Sequence, residues 1–350
     1  MKKKVSIIGL FCTGKEVADG QSIKTRIVTR ELERTFGKDN IRRIDTYEWK
    51  KNPLKLFISC IRAVYESSNV IFMTDAGGIK VFPWLFSFVN VFNKTKVYYV
   101  VIGGWLVHFL ENHTLHRLPL KRLDGIFVET QIMKDGLEKI KFNNVELMLN
   151  FKDLTLLPKE DIVAYSANEP YKFCLFSRIM REKGVEYAVD AVKNINELYG
   201  REICILDIYG PVDPKQKEWF ERLKNTFSSS IRYCGIVPFD NSVEVLKEYY
   251  ALLFPTLFYT EGIPGTIIDA YAAAVPVVAS EWESVFDIVE PGVTGVSYPF
   301  DNPRLIQDCM VSLIENPAKV MMMKEKCLMK AECYLPNAAM GVLISKLNSK

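Results

Sequence analysis

Two carboxylates and a turn-forming loop make up the first group of residues whose types suit chemistry. Glu261 begins a loop shaped by Gly262, Pro264 and Gly265, and Asp269 follows eight positions after Glu261. Carboxylates that accept hydrogen bonds from pairs of hydroxyls suit sugars and riboses. In the alternative interpretation, Glu261 only ends a surface loop and Asp269 offsets the dipole of a helix.

Two basic residues make up the second group. Arg178 and Lys183 follow a strand-like run, YKFCLF, and Gly184 comes directly after Lys183. At the end of a strand, an arginine fork and a lysine point charge together can hold one diphosphate. For an isolated pair, two solvated cations in a loop would be the simpler interpretation.

The elements around the carboxylates predict how they are positioned. Residues 251–280 contain an apolar run, a turn-rich loop, a helix-compatible segment at 266–274 and another apolar run. This is the order of a βαβ unit. Ligands of such units bind outside the carboxyl ends of the strands, where a helix N-terminus attracts phosphate.

The stretch 251–280 resembles the donor site of retaining glycosyltransferases with two Rossmann-like domains, the GT-B fold of the group 1 or family 4 type, as in bacterial polysaccharide biosynthesis. The matching features are Glu-Gly-x-Pro, a second acid eight positions later, an Ala-rich helix and Pro-Val-Val-Ala. The segment ending at Lys183-Gly184 is similar to the family's Gly-Arg-x-x-x-x-Lys-Gly element, with Ser177 in place of the first Gly. The family's second acid is usually Glu, and Asp269 is one methylene shorter.

The resemblance implies a role for each residue. Arg178 and Lys183 would bind the diphosphate and Glu261 would position the transferred sugar, so these three form the catalytic set. Backbone from 263 to 266 would meet the diphosphate, Asp269 the ribose and Val237 the base. The donor-binding set contains Gly262, Ile263, Pro264, Gly265, Thr266, Asp269 and Val237.

The first half of the chain offers weaker signals. A strand at 5–10 leads into a glycine-bearing loop and a helix from about Ile23, with a basic polar face that includes Lys24 and Arg30. The spacing matches neither a dinucleotide fingerprint nor a P-loop, and a flexible connection explains it equally well. The resemblance implies that this loop faces a cleft. The cleft side of the first domain would contain Gly20, Gln21, Gly104 and His108.

Strand-like runs at 5–10, 69–78, 96–105, 124–131 and 144–150 predict a first α/β domain, and periodicity is lost over 151–170. The resemblance implies two facing Rossmann-like domains with an interdomain cleft and a C-terminal helix that crosses back to the first. The expected parts are an acceptor-binding domain at 1–152, a linker at 153–170, a donor-binding domain at 171–335 and the final helix at 336–350. Two helices are expected to finish the chain.

Composition and charge limit the function classes. The chain has 49% hydrophobic and 25% charged residues and no charge-free apolar run of twenty, so a cytoplasmic protein is expected. Eight cysteines without a CxxC pair and three histidines without nearby partners do not predict a zinc site. Residues 1–150 hold 24 Lys and Arg against 15 acids, a net charge of +9, whereas the remainder is −6. A basic half favours an anionic membrane surface or lipid pyrophosphate over nucleic acid.

The apolar segment at 81–92 is too short to span a bilayer. It predicts a buried helix or, less favoured, an interfacial one. In the interfacial case Trp84, Phe86 and Phe88, with the basic cluster at 2–4, would attach the protein peripherally to the inner membrane face.

The predicted activity is transfer of a hexose from a UDP- or GDP-sugar to a hydroxyl of a saccharide or lipid-linked acceptor, with retention, in cell-surface polysaccharide biosynthesis. No metal is expected, because Arg178, Lys183 and a helix N-terminus would meet the charge of the leaving group. Two alternatives are a nucleotide-sugar epimerase of the same architecture and a non-catalytic nucleotide-sugar-binding subunit.

Overall fold

The computed structural model describes residues 2–14, 20–47, 49–164, 170–238 and 241–349. The chain forms two compact units, the first containing Met1–Asp153 and Pro336–Lys350 and the second containing Leu154–Leu335. Part of the predicted glycine-bearing loop (15–19) and part of the predicted linker (165–169) lie outside the described residues. Among the described residues, no helix has the length and apolar character needed to cross a bilayer.

Six parallel strands form the sheet of the first unit, in the order β2-β1-β3-β4-β5-β6. They are β1 (Lys3–Gly9), β2 (Ile41–Asp45), β3 (Ser67–Met73), β4 (Lys96–Val100), β5 (Gly125–Val128) and β6 (Val145–Leu147). Five of them were predicted, and β2 was missed. As an edge strand, β2 buries only Ile41 and Ile44 and carries exposed charge between them, so its pattern is weak.

The helices of this part of the chain cover both faces of the sheet. They are α1 (Gly20–Phe36), α2 (Pro53–Glu66), α3 (Ala76–Ile79), α4 (Phe82–Val89), α5 (Leu106–Asn112), α6 (Arg117–Lys121) and α7 (Gln131–Lys139). Helix α1 begins three residues before the predicted start, because its first turn is polar and apolar periodicity does not mark it.

Helix α4 corrects the prediction of a buried helix at 81–92. Phe82 and Phe86 pack in the core, and Phe86 is only 1% exposed. Trp84 and Phe88 are 41% and 82% exposed, so the opposite face of α4 is apolar and reaches solvent. The prediction is therefore wrong for one face of the helix, and Phe86 is unavailable to a lipid surface.

The second sheet also has six parallel strands, in the order β12-β11-β10-β7-β8-β9. They are β7 (Tyr171–Phe176), β8 (Cys204–Tyr209), β9 (Ile231–Gly235), β10 (Ala251–Phe254), β11 (Val277–Ser280) and β12 (Gly295–Tyr298). The helices are α8 (Val185–Tyr199), α9 (Lys217–Lys224), α10 (Ser242–Leu246), α11 (Gly265–Ala272), α12 (Ile306–Ile314) and α13 (Pro317–Ala331). The apolar faces of α8, α9, α12 and α13 form one core with the strands, in which Phe173, Val189 and Leu206 are fully buried.

Two short helices, α14 (Pro336–Ala339) and α15 (Gly341–Asn348), return the chain to the first unit. Leu343 and Leu347 are buried in the same cluster as Val5 and Tyr98. The hydroxyl of Tyr98 also donates to the carbonyl oxygen of Lys346 at 3.1 Å. The predicted α/β fold with a returning C-terminal helix is confirmed, although four helices rather than two follow β12.

Each sheet has one point where the strand order reverses. Strand β1 lies between β2 and β3, and strand β7 lies between β8 and β10. In open parallel sheets, the loops that leave such a point in opposite directions form a crevice outside the carboxyl ends of the strands. These two points are therefore where each unit can present side chains to a ligand.

Candidate functional site

The loops that follow β7 and β10 pack against each other, because these two strands are parallel neighbours in the sheet. Gly184 has a φ of 69°, and a Cβ there would lie 1.9 Å from the carbonyl oxygen of Pro255, so the close approach requires glycine. The backbone N–H of Leu257 donates to the carbonyl oxygen of Glu182 at 2.8 Å. The predicted Lys-Gly element therefore packs directly on the loop that leads to Glu261.

Lys183 and Glu261 were predicted from separate motifs, and they form an ion pair. Both side chains are 18% exposed. The hydroxyl of Thr256 donates to the same carboxylate oxygen of Glu261, Oε1, at 3.1 Å. The Lys183 ammonium also lies 4.9 Å from the ring centre of Phe258 and 5.6 Å from that of Phe254, within cation–π range. The pair is thus oriented from several sides while it stays within reach of solvent.

Arg178 precedes Lys183 by five residues and lies two residues beyond the end of β7, with its side chain exposed. That side chain makes no hydrogen bond or ion pair with the part of the chain that the structure describes. Gly210 packs closely against Ser177, the residue before Arg178. The φ of Gly210 is 133°, and a Cβ at this position would lie 1.8 Å from the carbonyl oxygen of Ser177. The Arg178 guanidinium can therefore meet an anion without first losing a partner in the described chain.

Helix α11 begins beside Glu261 and has no side-chain cap at its N-terminus, where Pro264 occupies the cap position. The first N–H groups of such a helix, here from Gly265 and Thr266, have no acceptor within the helix and carry partial positive charge. The Thr266 hydroxyl oxygen is buried and has no hydrogen-bond partner among the described residues. Asp269 lies one turn further along and is 5% exposed. A polar anion at this helix start would accept hydrogen bonds from these N–H groups and from the Thr266 hydroxyl.

Three hydroxyl residues that the sequence reasoning missed hold this loop in place. Thr256 follows β10 and contacts Glu261, as described above. Ser280 ends β11 and donates to the carbonyl oxygen of Thr256 at 2.7 Å. Ser284 donates to the carbonyl oxygen of Glu261 at 2.8 Å. The available signal was small hydroxyl side chains at or shortly after the carboxyl ends of neighbouring parallel strands.

The remaining donor-side residues have different surroundings. Gly262 and Ile263 are buried, so their contribution to a ligand is through the backbone. Val237 lies two residues past β9, and β8 separates that strand from β7. A hydrogen bond from Gln216 to Glu182, at 2.8 Å, holds the pKa of Glu182 below its usual range and keeps a carboxylate next to Lys183.

In the first unit, the predicted residues lie around the carboxyl ends of the strands. Gly20 and Gln21 form the start of α1, and the Gln21 amide donates to the carbonyl oxygen of Met73, at the end of β3, at 3.4 Å. Gly104 lies in the loop after β4. His108 lies on α5, half exposed, with its Nδ1 3.6 Å from a carboxylate oxygen of Glu111.

The prediction of a basic polar face on α1 is wrong for Lys24. Its side chain is 4% exposed and forms an ion pair with Glu129, which is 3% exposed and directly follows β5. The other carboxylate oxygen of Glu129 accepts the N–H of Gly103 at 3.3 Å. Arg30 pairs with Asp153 at 2.7 Å. Ion pairs with Glu129 and Asp153 therefore neutralise Lys24 and Arg30 on this face. Lys24 reaches its partner because α1 directs it toward the ends of β4 and β5.

Asp45, which was missed together with β2, holds the loop after β1. Its carboxylate accepts hydrogen bonds from the N–H groups of Phe11 at 2.9 Å and Thr13 at 3.0 Å. Between them, Cys12 has a φ of 52°, an uncommon conformation for a residue with a side chain. Partial burial raises the pKa of Asp45, but hydrogen bonds from the backbone of Thr13, Tyr47 and Phe11 outweigh it and leave that pKa below its usual range.

The side chains were not found to form a metal site in the part of the chain that the structure describes. Within the described residues, no three or more His, Cys, Asp or Glu side chains lie close enough together to hold a metal ion. Cys60, Cys174, Cys204 and Cys327 are buried thiols. His113 instead stacks on Phe109, with ring centres 4.3 Å apart.

Comparison with known proteins gives a family match over part of the chain and structures with a similar fold. Residues 170–316 match the family model described as Glycosyl transferases group 1. An uncharacterized glycosyltransferase of Methanocaldococcus jannaschii is 22% identical over 245 residues, which cover 64% of this chain and 60% of that relative. HepE of Anabaena, solved in complex with UDP-glucose, has a TM-score of 0.73 at 12% identity, with 99% of each chain covered. Sucrose-phosphate synthase from Thermosynechococcus elongatus has a TM-score of 0.75 at 15% identity, also with 99% of each chain covered.

The chain therefore has the GT-B fold of glycosyltransferases, as predicted. The residues that match the family model lie in the second unit, and they include Arg178, Lys183, Glu261 and Asp269. The chain spans 60% of the length of the archaeal relative. The similarity to the two solved structures establishes the fold alone, because their identity to this chain is low.

Proposed function

We propose that this protein is a glycosyltransferase that moves a hexose from a nucleoside diphosphate sugar to a hydroxyl of a saccharide or lipid-linked acceptor, with retention. The observation that carries the proposal is the Lys183–Glu261 ion pair at the point where the order of the second sheet reverses. It joins a cation for phosphate and a carboxylate for sugar hydroxyls next to the start of α11. A sugar diphosphate needs both kinds of group at adjacent positions.

The donor's diphosphate is proposed to bind Arg178, Lys183 and the first N–H groups of α11. Hydrogen bonds to charged groups contribute roughly 1.5–3 kcal/mol each, so two cations are enough to make the diphosphate the main source of affinity. The Thr266 hydroxyl is a further donor at this helix start. Asp269 would accept the ribose hydroxyls, and Val237 would contact the base.

In the proposed reaction, the bond between the sugar C1 and the diphosphate oxygen breaks and its electron pair leaves with the diphosphate. Lys183 and the N–H groups of α11 stabilise that charge as it develops. The acceptor oxygen bonds to C1 on the same face, and its proton passes to an oxygen of the leaving phosphate. Glu261 positions the sugar rather than attacking it, and the Thr256 hydroxyl, which donates to its Oε1, holds the carboxylate in place when Lys183 turns to the diphosphate.

The proposed substrates are a nucleoside diphosphate hexose as donor and a saccharide or lipid-linked acceptor. A UDP-hexose is the first donor to test, because HepE was solved with UDP-glucose, and a GDP-hexose is the second. The acceptor is assigned to the first unit, near Gly20, Gln21, Gly104 and His108. A role in cell-surface polysaccharide biosynthesis, at the inner membrane face, would suit a lipid-linked acceptor.

The first experiment incubates the protein with UDP-glucose, UDP-N-acetylglucosamine or GDP-mannose and no acceptor. Slow release of the nucleoside diphosphate is the expected result, since water replaces the acceptor. Formation of an epimeric nucleotide sugar would support an epimerase instead. Protection against thermal unfolding without any turnover would support a binding subunit.

A matched pair of variants tests the site itself. Arg178→Ala should weaken donor binding at least tenfold, because one charge-assisted contact is lost. Arg181→Ala, in the same loop, is the control, since its guanidinium lies over the Trp219 ring at 5.5 Å. Equal donor affinity of the two variants in titration calorimetry would contradict the assignment of Arg178.

A further inference from the structure

We infer that the outer faces of α2 and α4 form a surface that docks on an anionic lipid bilayer. This α2–α4 surface consists of exposed apolar side chains on two helices that contact each other. Its members are Leu54, Phe57, Ile58, Tyr65, Trp84 and Phe88. The surface is independent of the donor site, and only its suggested link to the acceptor rests on the proposed function.

Helix α2 has apolar residues on two sides. Its inner side buries Cys60, Ala63 and Val64 against the sheet. On its outer side Leu54 is 69% exposed and Phe57 is 47% exposed, and Ile58 and Tyr65 continue the same stripe. Their spacing of three, four and seven residues keeps them on one face of a helix. A helix that needed only the inner contact would carry polar residues there.

Helix α4 extends the apolar surface. Trp84 and Phe88 are four residues apart and therefore project from the same side of the helix. Tyrosine and tryptophan rings are amphipathic and favour the level of the lipid headgroups. Phe86, which the sequence analysis included, is in the core and takes no part.

The basic residues around this surface favour an anionic bilayer over a second copy of the chain as its partner. Residues 49–66 carry Lys50, Lys51, Lys55 and Arg62 but a single acid, Glu66, which pairs with Arg42. Two copies that met through this face would bring their basic residues together, which is unfavourable for a symmetric dimer. An anionic bilayer offers both the apolar layer and the opposite charge.

The direction of α2 links this surface to the carboxyl edge of the sheet. The helix follows the carboxyl end of β2 and ends where β3 begins, so its first turn, with Leu54 and Lys55, lies at the carboxyl edge. Gln21 contacts the carboxyl end of β3 at the same edge. An acceptor anchored in the bilayer would therefore reach the edge of the first sheet from the side on which the protein docks.

The sequence had suggested that the basic cluster at 2–4 would contribute to membrane attachment. Lys3 instead donates to the carbonyl oxygen of Asp39, and the Lys4 ammonium lies 5.4 Å from the ring centre of Phe36. Both residues belong to the start of β1, at the opposite edge of the sheet from the first turn of α2. The proposed contact is therefore α2 and α4 rather than the beginning of the chain.

Sedimentation with vesicles tests the inference. The protein should co-sediment with phosphatidylcholine vesicles that contain about one-third phosphatidylglycerol, much less with pure phosphatidylcholine, and less at high salt. Phe57→Ser combined with Phe88→Ser should lower partitioning by roughly tenfold or more, because buried apolar area is lost. Replacing Lys50, Lys51 and Lys55 by Gln should lower it about fivefold per residue.

Matched controls come from the second unit. The control for the apolar change is Leu198→Ser combined with Met322→Ser, which removes two exposed apolar side chains. The control for the charge change replaces three exposed lysines, Lys217, Lys319 and Lys326, by Gln. The controls should keep wild-type partitioning. Unchanged thermal unfolding of each variant shows that the first unit is still folded.

Three results would overturn the inference. The first is equal failure to bind anionic and neutral vesicles, and the second is an equal loss in the α2–α4 variants and the controls. The third is a dimer, detected by light scattering, that the Phe57 and Phe88 changes dissociate, since the face would then pair two copies. None of these assays uses a nucleotide sugar, so their failure is separate from failure of the proposed reaction.

Discussion

Two lysine–glutamate ion pairs lie at the carboxyl edges of the two sheets, and they differ in their access to water. Lys183 and Glu261 are each 18% exposed, whereas Lys24 and Glu129 are 4% and 3% exposed. An anionic ligand can reach Lys183 and replace Glu261 as its partner. No ligand reaches Lys24 unless α1 moves away from the sheet. We therefore expect the pair of the second unit to exchange its partner for a ligand and the pair of the first unit to act as a structural brace.

The surroundings of the two pairs explain this difference. Glu129 also accepts the N–H of Gly103, and the Lys24 ammonium approaches the carbonyl oxygen of Val101 at 3.5 Å, so the buried pair joins α1 to two strand ends. Burial makes each charge depend on the other, since removing one leaves the other unpaired. Lys183 remains partly hydrated between two aromatic rings, and a diphosphate offers it more negative charge than one carboxylate does.

The largest effect is expected from breaking the buried pair. Lys24→Met should lower the free energy of unfolding by about 3–5 kcal/mol, because Glu129 is left buried without its partner. Adding Glu129→Gln should recover part of the loss, since the amide oxygen still accepts the Gly103 N–H. Urea unfolding of the single and double variants measures both effects.

Lys183→Met is the matched control for that prediction. A partly exposed pair contributes little to stability, so its loss should cost less than about 1 kcal/mol. If the two methionine variants were equally destabilised, burial would not be what separates the two pairs.

A third lysine sharpens the comparison. Lys324 on α13 is buried and donates to the carbonyl oxygen of Tyr249 at 2.9 Å, and burial lowers its pKa to about 8 from an ordinary 10.5. The unfolded chain then binds more protons between these values, so Lys324 costs about 3 kcal/mol below pH 8, and this cost disappears as the pH rises toward 10.5. Lys324→Met should therefore gain stability relative to wild type at pH 7 and lose that relative gain by pH 10.5.

The exposed residue Lys326, on the same helix, provides the control for the pH dependence. Lys326→Met should differ from wild type by a constant amount across this range. Thermal unfolding of the three proteins at matched pH gives the difference curves, in which the titration of other groups cancels. A flat curve for Lys324→Met would show that this lysine is solvated in the folded protein.

The next effect concerns the exchangeable pair. Lys183→Met should weaken binding of a nucleoside diphosphate by about 1.5–3 kcal/mol, and should weaken binding of the free nucleoside far less. Titration calorimetry with both ligands makes this comparison. An equal loss for both would mean that Lys183 supports the fold of the site and does not contact the diphosphate.

The smallest effect has the opposite sign. Glu261→Gln removes the charge that competes for Lys183, so a nucleoside diphosphate should bind equally well or up to about 1 kcal/mol more tightly. Sugar transfer should fall, because the carboxylate that positions the sugar is gone. Tighter nucleotide binding with slower transfer is specific to an exchangeable pair. Weaker binding of the nucleoside diphosphate would argue that Glu261 orients Lys183 instead.

Sequence alone was sufficient for the parts of the second unit that carry the candidate site. Strands β7, β10 and β11 are short apolar runs followed by turn residues, and the local patterns around Lys183 and Glu261 lie within single βαβ units. Such patterns report local structure directly, because the period of buried residues follows from the helix or strand itself. In the first unit the edge strand β2 was not predicted, because an edge strand buries few residues and carries charged ones.

The contacts between distant residues were decided only by the tertiary structure. Lys183 and Glu261 are 78 positions apart, and only the adjacency of β7 and β10 brings them together. Lys24 was predicted to lie on a basic polar face, yet its environment is set by Glu129, 105 positions away. The outer face of α4 was also undetermined, because an apolar residue in the sequence does not reveal whether another element covers it. Residue type sets the chemistry that is available, and packing across the sheets sets which charges meet, which are buried and which reach a ligand.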